Sequence, residues 1–234
     1  MKLPISARLL ACADLVSSCE TVADVGSDHG YLGVHLLLHN VCSHVIASDL
    51  REKPLANAKE NALRFEAADR MTFLRADGFR GFEPGSFQTA VLAGMGGDLI
   101  ARILGDAPWL CSFAYTLVLQ PQSAANDLRR WLGENGWSIE RERLVRDGGF
   151  LYSVMRVVFG DDRVLTPGEQ YVSPALRREG DPLFPDYLDR VSRALEQTVS
   201  GISQSADPAD LARASYFRSA LDEIRILTEK EKKR

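Results

Sequence analysis

The strongest constraint on this chain is an alternation. Up to about Gly160, short apolar runs rich in β-formers take turns with helical patterns. Residues 22–25, 45–48, 71–75, 89–93 and 116–120 predict strands, and residues 31–39, 54–65, 98–105 and 123–133 predict the helices between them. Repetition of strand, helix and strand builds a parallel sheet with helices on both faces. Residues 137–144 and 150–159 are both strand-like and are joined by a turn at Asp147-Gly148-Gly149, so an antiparallel hairpin is expected at the sheet edge. The expected class is therefore α/β, a doubly wound seven-stranded sheet. Leucines and alanines at helical spacing over residues 5–16 predict a further helix that packs near the first loop.

After Gly160 the pattern changes. Pro167, Pro174, Pro182 and Pro185 interrupt any long element and mark a linker. Beyond them Leu188, Val191, Leu195, Thr198 and Ile202 recur at spacings of three and four, and Leu211, Ala214, Phe217, Leu221, Ile224 and Leu227 do so after Asp207-Pro208. Two such seams joined by a short loop predict an antiparallel helical hairpin or short coiled coil. The expected organisation is a sheet domain over residues 1–160 and a linker with a helical appendage over 161–234.

Charge narrows the partners. Lys and Arg number 28 against 32 Asp and Glu, a net charge of −4, so no overall basic field attracts nucleic acid. A polyanion would have to be met by a local patch. Cys12, Cys19, Cys42 and Cys111 form no CxxC pair and have no histidine at metal-finger spacing, so they read as small buried hydrophobes in a reducing compartment. His35 and His39 lack the intervening glutamate of a zinc protease, and no metal is expected. No leader and no apolar run of about 20 residues is present, which points to a cytoplasmic protein without a membrane partner.

The segment VADVGSDHGYLG sets Asp24 at the end of the first strand, a loop from Gly26 to Gly30, and a helix opening at Tyr31. Such a loop leaves a crevice with open N–H groups, the usual ligand site of a doubly wound sheet. A dinucleotide fingerprint needs glycine two residues after Gly26, where this chain has Asp28. A carboxylate there repels a diphosphate. It suits S-adenosylmethionine, which carries a sulfonium, an ammonium and one carboxylate. Asp49 ends the second strand 23 residues after Gly26, near the offset at which an acid meets ribose hydroxyls, and Asp77 in RADGF is placed to accept from an adenine amine. Taken singly, each of these acids is an ordinary turn or cap residue. Ala93-Gly94-Met95-Gly96-Gly97 after the fourth strand reads equally as the acceptor side of the crevice and as a turn capped by Asp98.

In order along the chain, ADVGSDHGYLG, IASDLREKPLANAKENA, RADGF, VLAGMGG, LQPQ with LRRWL, and DGGFLY resemble the bacterial tRNA (adenine-22-N1)-methyltransferases, class I S-adenosylmethionine enzymes. The resemblance spans nearly the whole chain, including LPISARL and the helical tail. It implies a Rossmann-like class I methyltransferase fold with a C-terminal coiled coil. It also implies a donor site at Gly26, Asp28, Gly30, Asp49, Asp77 and Gly94, and Asp24, His29 and Gly78, adjoining these in the chain, are further donor-site candidates, His29 reading also as a plain helix-start residue. Adenine N1 attacks a sulfonium methyl with its own lone pair, so no strong base is needed. The protein must instead position the reactants, exclude water and tolerate the cation that forms. Asp28 is the candidate for that last role, and equally a donor-site ligand. Tyr31, Met95, Gly96 and Gly97, with Arg129 and Arg130 on phosphates, are candidate tRNA contacts. Arg141, Arg143, Arg146, Lys230, Lys232, Lys233 and Arg234 form further basic clusters, each of which also fits a solvated surface. The helical tail is placed to grip tRNA or to form a homo-oligomer. Rival readings are a methyltransferase of small molecules or proteins, and a nonenzymatic adaptor for RNA or protein.

Overall fold

In a computed structural model, residues 2–112, 115–160, 163–202 and 208–231 are described. Seven strands form one sheet in the order β3-β2-β1-β4-β5-β7-β6. They are β1 (Cys19–Val25), β2 (Cys42–Asp49), β3 (Met71–Arg75), β4 (Thr89–Gly96), β5 (Thr116–Ser123), β6 (Trp137–Asp147) and β7 (Phe150–Phe159). The first five run parallel, and β7 pairs antiparallel with both β5 and β6. Helices α1 (Ala7–Ala13), α2 (Tyr31–Leu38), α3 (Glu52–Arg64), α4 (Gly97–Gly105) and α5 (Ala125–Glu134) flank the sheet.

Side-chain alternation fills both faces. Val22, Val91 and Val118 enter the core beneath α1 and α2, while Ala23, Leu92, Leu117 and Leu119 enter the one beneath α4 and α5. The strand order reverses between β1 and β4. There Val25 pairs with Ser48 on one side and Leu92 on the other, so the loops after β1, β2 and β4 open at one level. That register builds the crevice.

The second half departs from the linker reading. Pro167 and Pro174 occupy the first turns of α6 (Pro167–Tyr171) and α7 (Pro174–Glu179), where a missing N–H costs nothing. Thr166 and Glu169 form a capping box, and Ser173 caps α7. Then α8 (Phe184–Ile202) and α9 (Pro208–Glu231) pack on each other, as the two apolar seams predict. Their base is not separate from the sheet: Leu144 of β6 and Leu151 of β7 share a core with Leu176, Leu188, Val191 and Leu221.

Arg129 overturns its predicted phosphate role. LRRWL is amphipathic, and the helical period turns Arg129 inward and leaves Arg130 exposed. The Arg129 guanidinium is fully buried, 2.5 Å from Glu142 Oε1, and it donates to Ser153 Oγ, Tyr187 Oη and the Gln170 carbonyl. Glu142 also accepts from Ser173 Oγ at 2.5 Å. One ion pair thus ties α5, the hairpin and the C-terminal helices together. Arg130 pairs with Asp127 at 3.0 Å, outside the crevice. Arg141, Arg143 and Arg146 pair with Glu179, Asp14 and Asp186. Lys232, Lys233 and Arg234 lie outside the described residues. Cys12 and Cys42 are buried and Cys19 half-buried, but Cys111 is exposed in the turn before β5, contrary to the reading of all four as buried. No helix among the described residues is long and apolar enough to cross a membrane.

Candidate active-site cleft

The crevice at the β1/β4 switch has a volume of about 360 Å³. Of the predicted residues, Asp24, Gly26, Asp28, His29, Tyr31, Asp49, Gly94 and Met95 line it. The backbone explains the gathering. Gly26 turns at φ 75° and Asp28 at φ 49°, left-handed values that fold the loop over the sheet edge. Gly26 and Ser27 both donate to the Ser48 carbonyl at 2.8 Å, which draws the loop against the end of β2. A Cβ on Gly26 would collide with Met95 Cε, so the two loops touch across the cleft floor.

The floor is acidic. Asp24 is 4% exposed, and its Oδ2 is buried without a hydrogen-bond partner, as are Ser27 Oγ and Ser48 Oγ nearby. Burial pushes the Asp24 carboxyl up to about 7, the Gly33 backbone N–H offsets part of that, and the neighbouring Asp49 adds to it. Asp49 Oδ1 accepts from the Arg51 N–H at 2.9 Å. Asp28 is exposed at the rim, 3.6 Å from His29 Nε2, and the His29 ring stacks on Tyr31 with centroids 5.6 Å apart.

Besides Arg129 and Arg130, five predicted residues are placed elsewhere. Gly30 caps α2 at φ 69°, and a Cβ there would press on Ala58 of α3, so its role is helix packing. Gly96 faces the Ser123 hydroxyl at the end of β5 and Gly97 the backbone of Ser123 and Ala124, so α4 starts against backbone. Asp77 and Gly78 line a neighbouring cavity instead. Phe79 anchors their loop in an aromatic cluster with Phe87 and Trp109, and Arg80 turns back to hold Asp77 at 3.7 Å. The three acids therefore follow three successive strands, but only Asp24 and Asp49 share the crevice.

The structure also adds residues. Arg8 of α1 lines the cleft beside Gly94, and its Nη1 donates to Gln120 Oε1 at 2.8 Å. The Gly94 N–H donates to the same oxygen at 3.0 Å, and Gln120 Nε2 donates to the Pro121 carbonyl. Gln120 is fully buried, so it fixes the Gly94 turn and Arg8 together. Ser27, Arg51 and Gln122 add polar groups to the lining, and Leu9, Leu32 and Ala93 its apolar part. A cation within an apolar N-terminal helix, and a polar side chain ending an apolar strand, were the available signals. Neither has a fixed spacing to the glycine loop.

The arrangement suits a cationic ligand that also carries a carboxylate: one unpaired carboxylate oxygen and two unpaired serine hydroxyls on the floor, one guanidinium at the Gly94 end, and no phosphate-accepting glycine at position 28. Among the described residues, no group of three or more His, Cys, Asp or Glu gathers to hold a metal.

Comparison with known proteins is consistent with this geometry. Residues 5–155 match the family model described as a methyltransferase domain. The tRNA (adenine(22)-N(1))-methyltransferase of Bacillus subtilis (strain 168) is 27% identical, the alignment covering 97% of each chain. The crystal structure of the B. subtilis m1A22 tRNA methyltransferase superposes with a TM-score of 0.85 at 24% identity, over 97% of this chain and 100% of that one. A Streptococcus pneumoniae protein, provisionally assigned as a tRNA (m1A22) methyltransferase and solved with S-adenosyl-L-methionine, gives 0.79 at 28% identity, over 93% and 99% of the two chains.

Proposed function

The chain belongs to the methyltransferase domain family, and on that premise we propose that its cleft serves methyl transfer from S-adenosylmethionine to N1 of an adenine in tRNA, by kinship adenine 22. The observation that carries the reading is the acidic floor, where Asp24 Oδ2 and two serine hydroxyls are buried without partners beside a loop that a diphosphate would not tolerate. Those orphaned groups fit the donor. Asp24 faces its cationic part, Asp49 its ribose, Arg8 its carboxylate, and Gly26 and Gly94 allow close backbone approach. Asp77, one strand further along, is assigned to the adenine end.

Bound there, S-adenosylmethionine supplies a sulfonium methyl that a ring nitrogen takes up in a single displacement. Adenine N1 enters with a free lone pair and leaves cationic, so the chain's work is to orient the base, shed water and hold the new positive charge. Asp28, at the rim and close to His29, is assigned to that charge. His29 and Tyr31 offer a stacked pair of rings to the incoming base. Residues 163–234 carry 12 basic and 12 acidic side chains and residues 1–162 carry 16 and 20, which leaves tRNA to local contacts. We assign to this reading a boundary along the sequence at residue 160, with the C-terminal helices docked on the sheet, together with cytoplasmic residence and self-association through α8 and α9. Incubation with unmodified tRNA and methyl-labelled donor, followed by nucleoside mapping, is expected to yield 1-methyladenine. Label in protein or small molecules alone would replace the acceptor, and no transfer at all would remove the enzyme reading.

A further inference from the structure

The DGGFLY turn takes no part in the site described so far. Because β7 runs antiparallel to β5, its first residues lie at the same sheet edge as the ends of the parallel strands. Asp147, just before the turn, pairs with the cleft residue Arg8 at 3.7 Å. Phe150 is 62% exposed, the one exposed Phe, Tyr or Trp among the described residues. Its ring centroid is 6.1 Å from that of Tyr152, two residues on and so on the same face of the strand. Nothing approaches within 4 Å of where a Cβ on Gly148 or Gly149 would stand, so the turn projects clear.

Tyr152 also lines a second groove of about 230 Å³, which shares Gln122 with the cleft and extends to Tyr171 of α6 and to Arg190 and Ala194 of α8. Arg190 donates to the Leu151 carbonyl at 2.7 Å, which fixes a cation beside the aromatic pair. The cleft and groove form one path along the edge, with Phe150 and Tyr152 beside it. A ligand matched to exposed ring faces next to a cation is an unpaired nucleic-acid strand, whose bases stack and whose phosphates are anionic. The target adenine must leave its own stack to present N1, so its neighbours lose stacking partners.

We propose that Phe150 and Tyr152 form a stacking platform for an unpaired nucleobase flanking the target adenine. This rests on tRNA being the acceptor. The test measures affinity of the full chain for unmodified tRNA by fluorescence anisotropy over a range of salt, with donor affinity by calorimetry, for the parent, Phe150→Ala, Tyr152→Ala and Phe150→Trp. Each alanine variant is expected to bind tRNA roughly 5- to 100-fold more weakly, the loss of one base stack. Phe150→Trp should match the parent, while donor affinity and salt slope stay unchanged because no phosphate contact is removed. Parental tRNA affinity in both alanine variants overturns the platform, and if it is accompanied by lost self-association in sedimentation, the rings belong to a protein contact. Should Tyr152→Ala lower the melting temperature, Phe150→Ala decides alone, since that ring is exposed. If the parent does not methylate tRNA, the acceptor reading falls and takes the platform with it. If it does methylate while the variants bind normally, only the platform falls.

Discussion

Asp24 shows how one buried carboxyl couples stability to ligand charge. Burial raises it to about 7, above its ordinary unfolded value, so between about pH 4 and pH 7 the folded chain holds a proton that the unfolded chain has lost. Fold stability from this group is therefore greatest below that window, falls as pH rises through it, and levels off above it. A cationic donor favours the ionised form and reverses the preference. Donor affinity is expected to rise from pH 6 to pH 8 by up to about tenfold, with proton release on binding, and Asp24→Asn should flatten the profile. Calorimetry in buffers of different ionisation enthalpy measures both, and a flat parental profile contradicts the assignment. For Asp28, asparagine is the informative replacement, because φ 49° is a conformation that Asn adopts readily and Ala does not. Asp28→Asn is expected to slow methyl transfer by roughly 100-fold or more, the scale of a lost electrostatic contact in a transition state. Donor affinity should stay within a few-fold; transfer at near-parental rate would remove Asp28 from the chemistry.

The element that most depends on tertiary context is α5. Its arginine pair is indistinguishable in the sequence, yet Arg129 is fully buried on Glu142 while Arg130 is exposed and paired with Asp127. Arg129→Ala leaves the buried Glu142 carboxylate with the Ser173 hydroxyl as its remaining partner, a loss of about 3–5 kcal/mol. In a chain of this size that lowers the melting temperature by roughly 6–20 °C. Scanning calorimetry checks this, and adding Glu142→Gln should recover part of the loss, because the uncompensated charge is then gone. An Arg129→Ala melting temperature within 2 °C of the parent would mean that the pair stabilises nothing. Arg130→Ala is expected to leave stability within about 0.5 kcal/mol, as exposed pairs do.

At the scale of the whole molecule, the C-terminal helices are integral to the hairpin end of the sheet. Removing everything after Gly160 uncovers Leu144, Leu151 and the Arg129–Glu142 pair. The truncated chain is expected to melt at least 10 °C below the full one, since several large side chains lose their burial together; an unchanged melting temperature would establish the tail as an independent unit. The sheet was legible because its evidence is local. Short apolar runs, glycine punctuation and turn chemistry lie within a dozen residues of each other, and β3 and β7 match their expected bounds while the others extend by a few residues. The donor loop was legible for the same reason, as VADVGSDHGYLG contains its own strand end, turn and helix start. The sequence by itself thus determined the α/β class, the glycine loop and the acidic residues at the strand ends. Only the tertiary structure decided which of those acids share a cavity, that Arg8 and Gln120 join them from distant parts of the chain, that Arg129 turns inward, and that Pro167, Pro174 and Pro185 sit in the first turns of helices rather than break them. These depend on packing between segments as far apart as residues 8 and 120, and no spacing rule along the chain encodes a contact made across it.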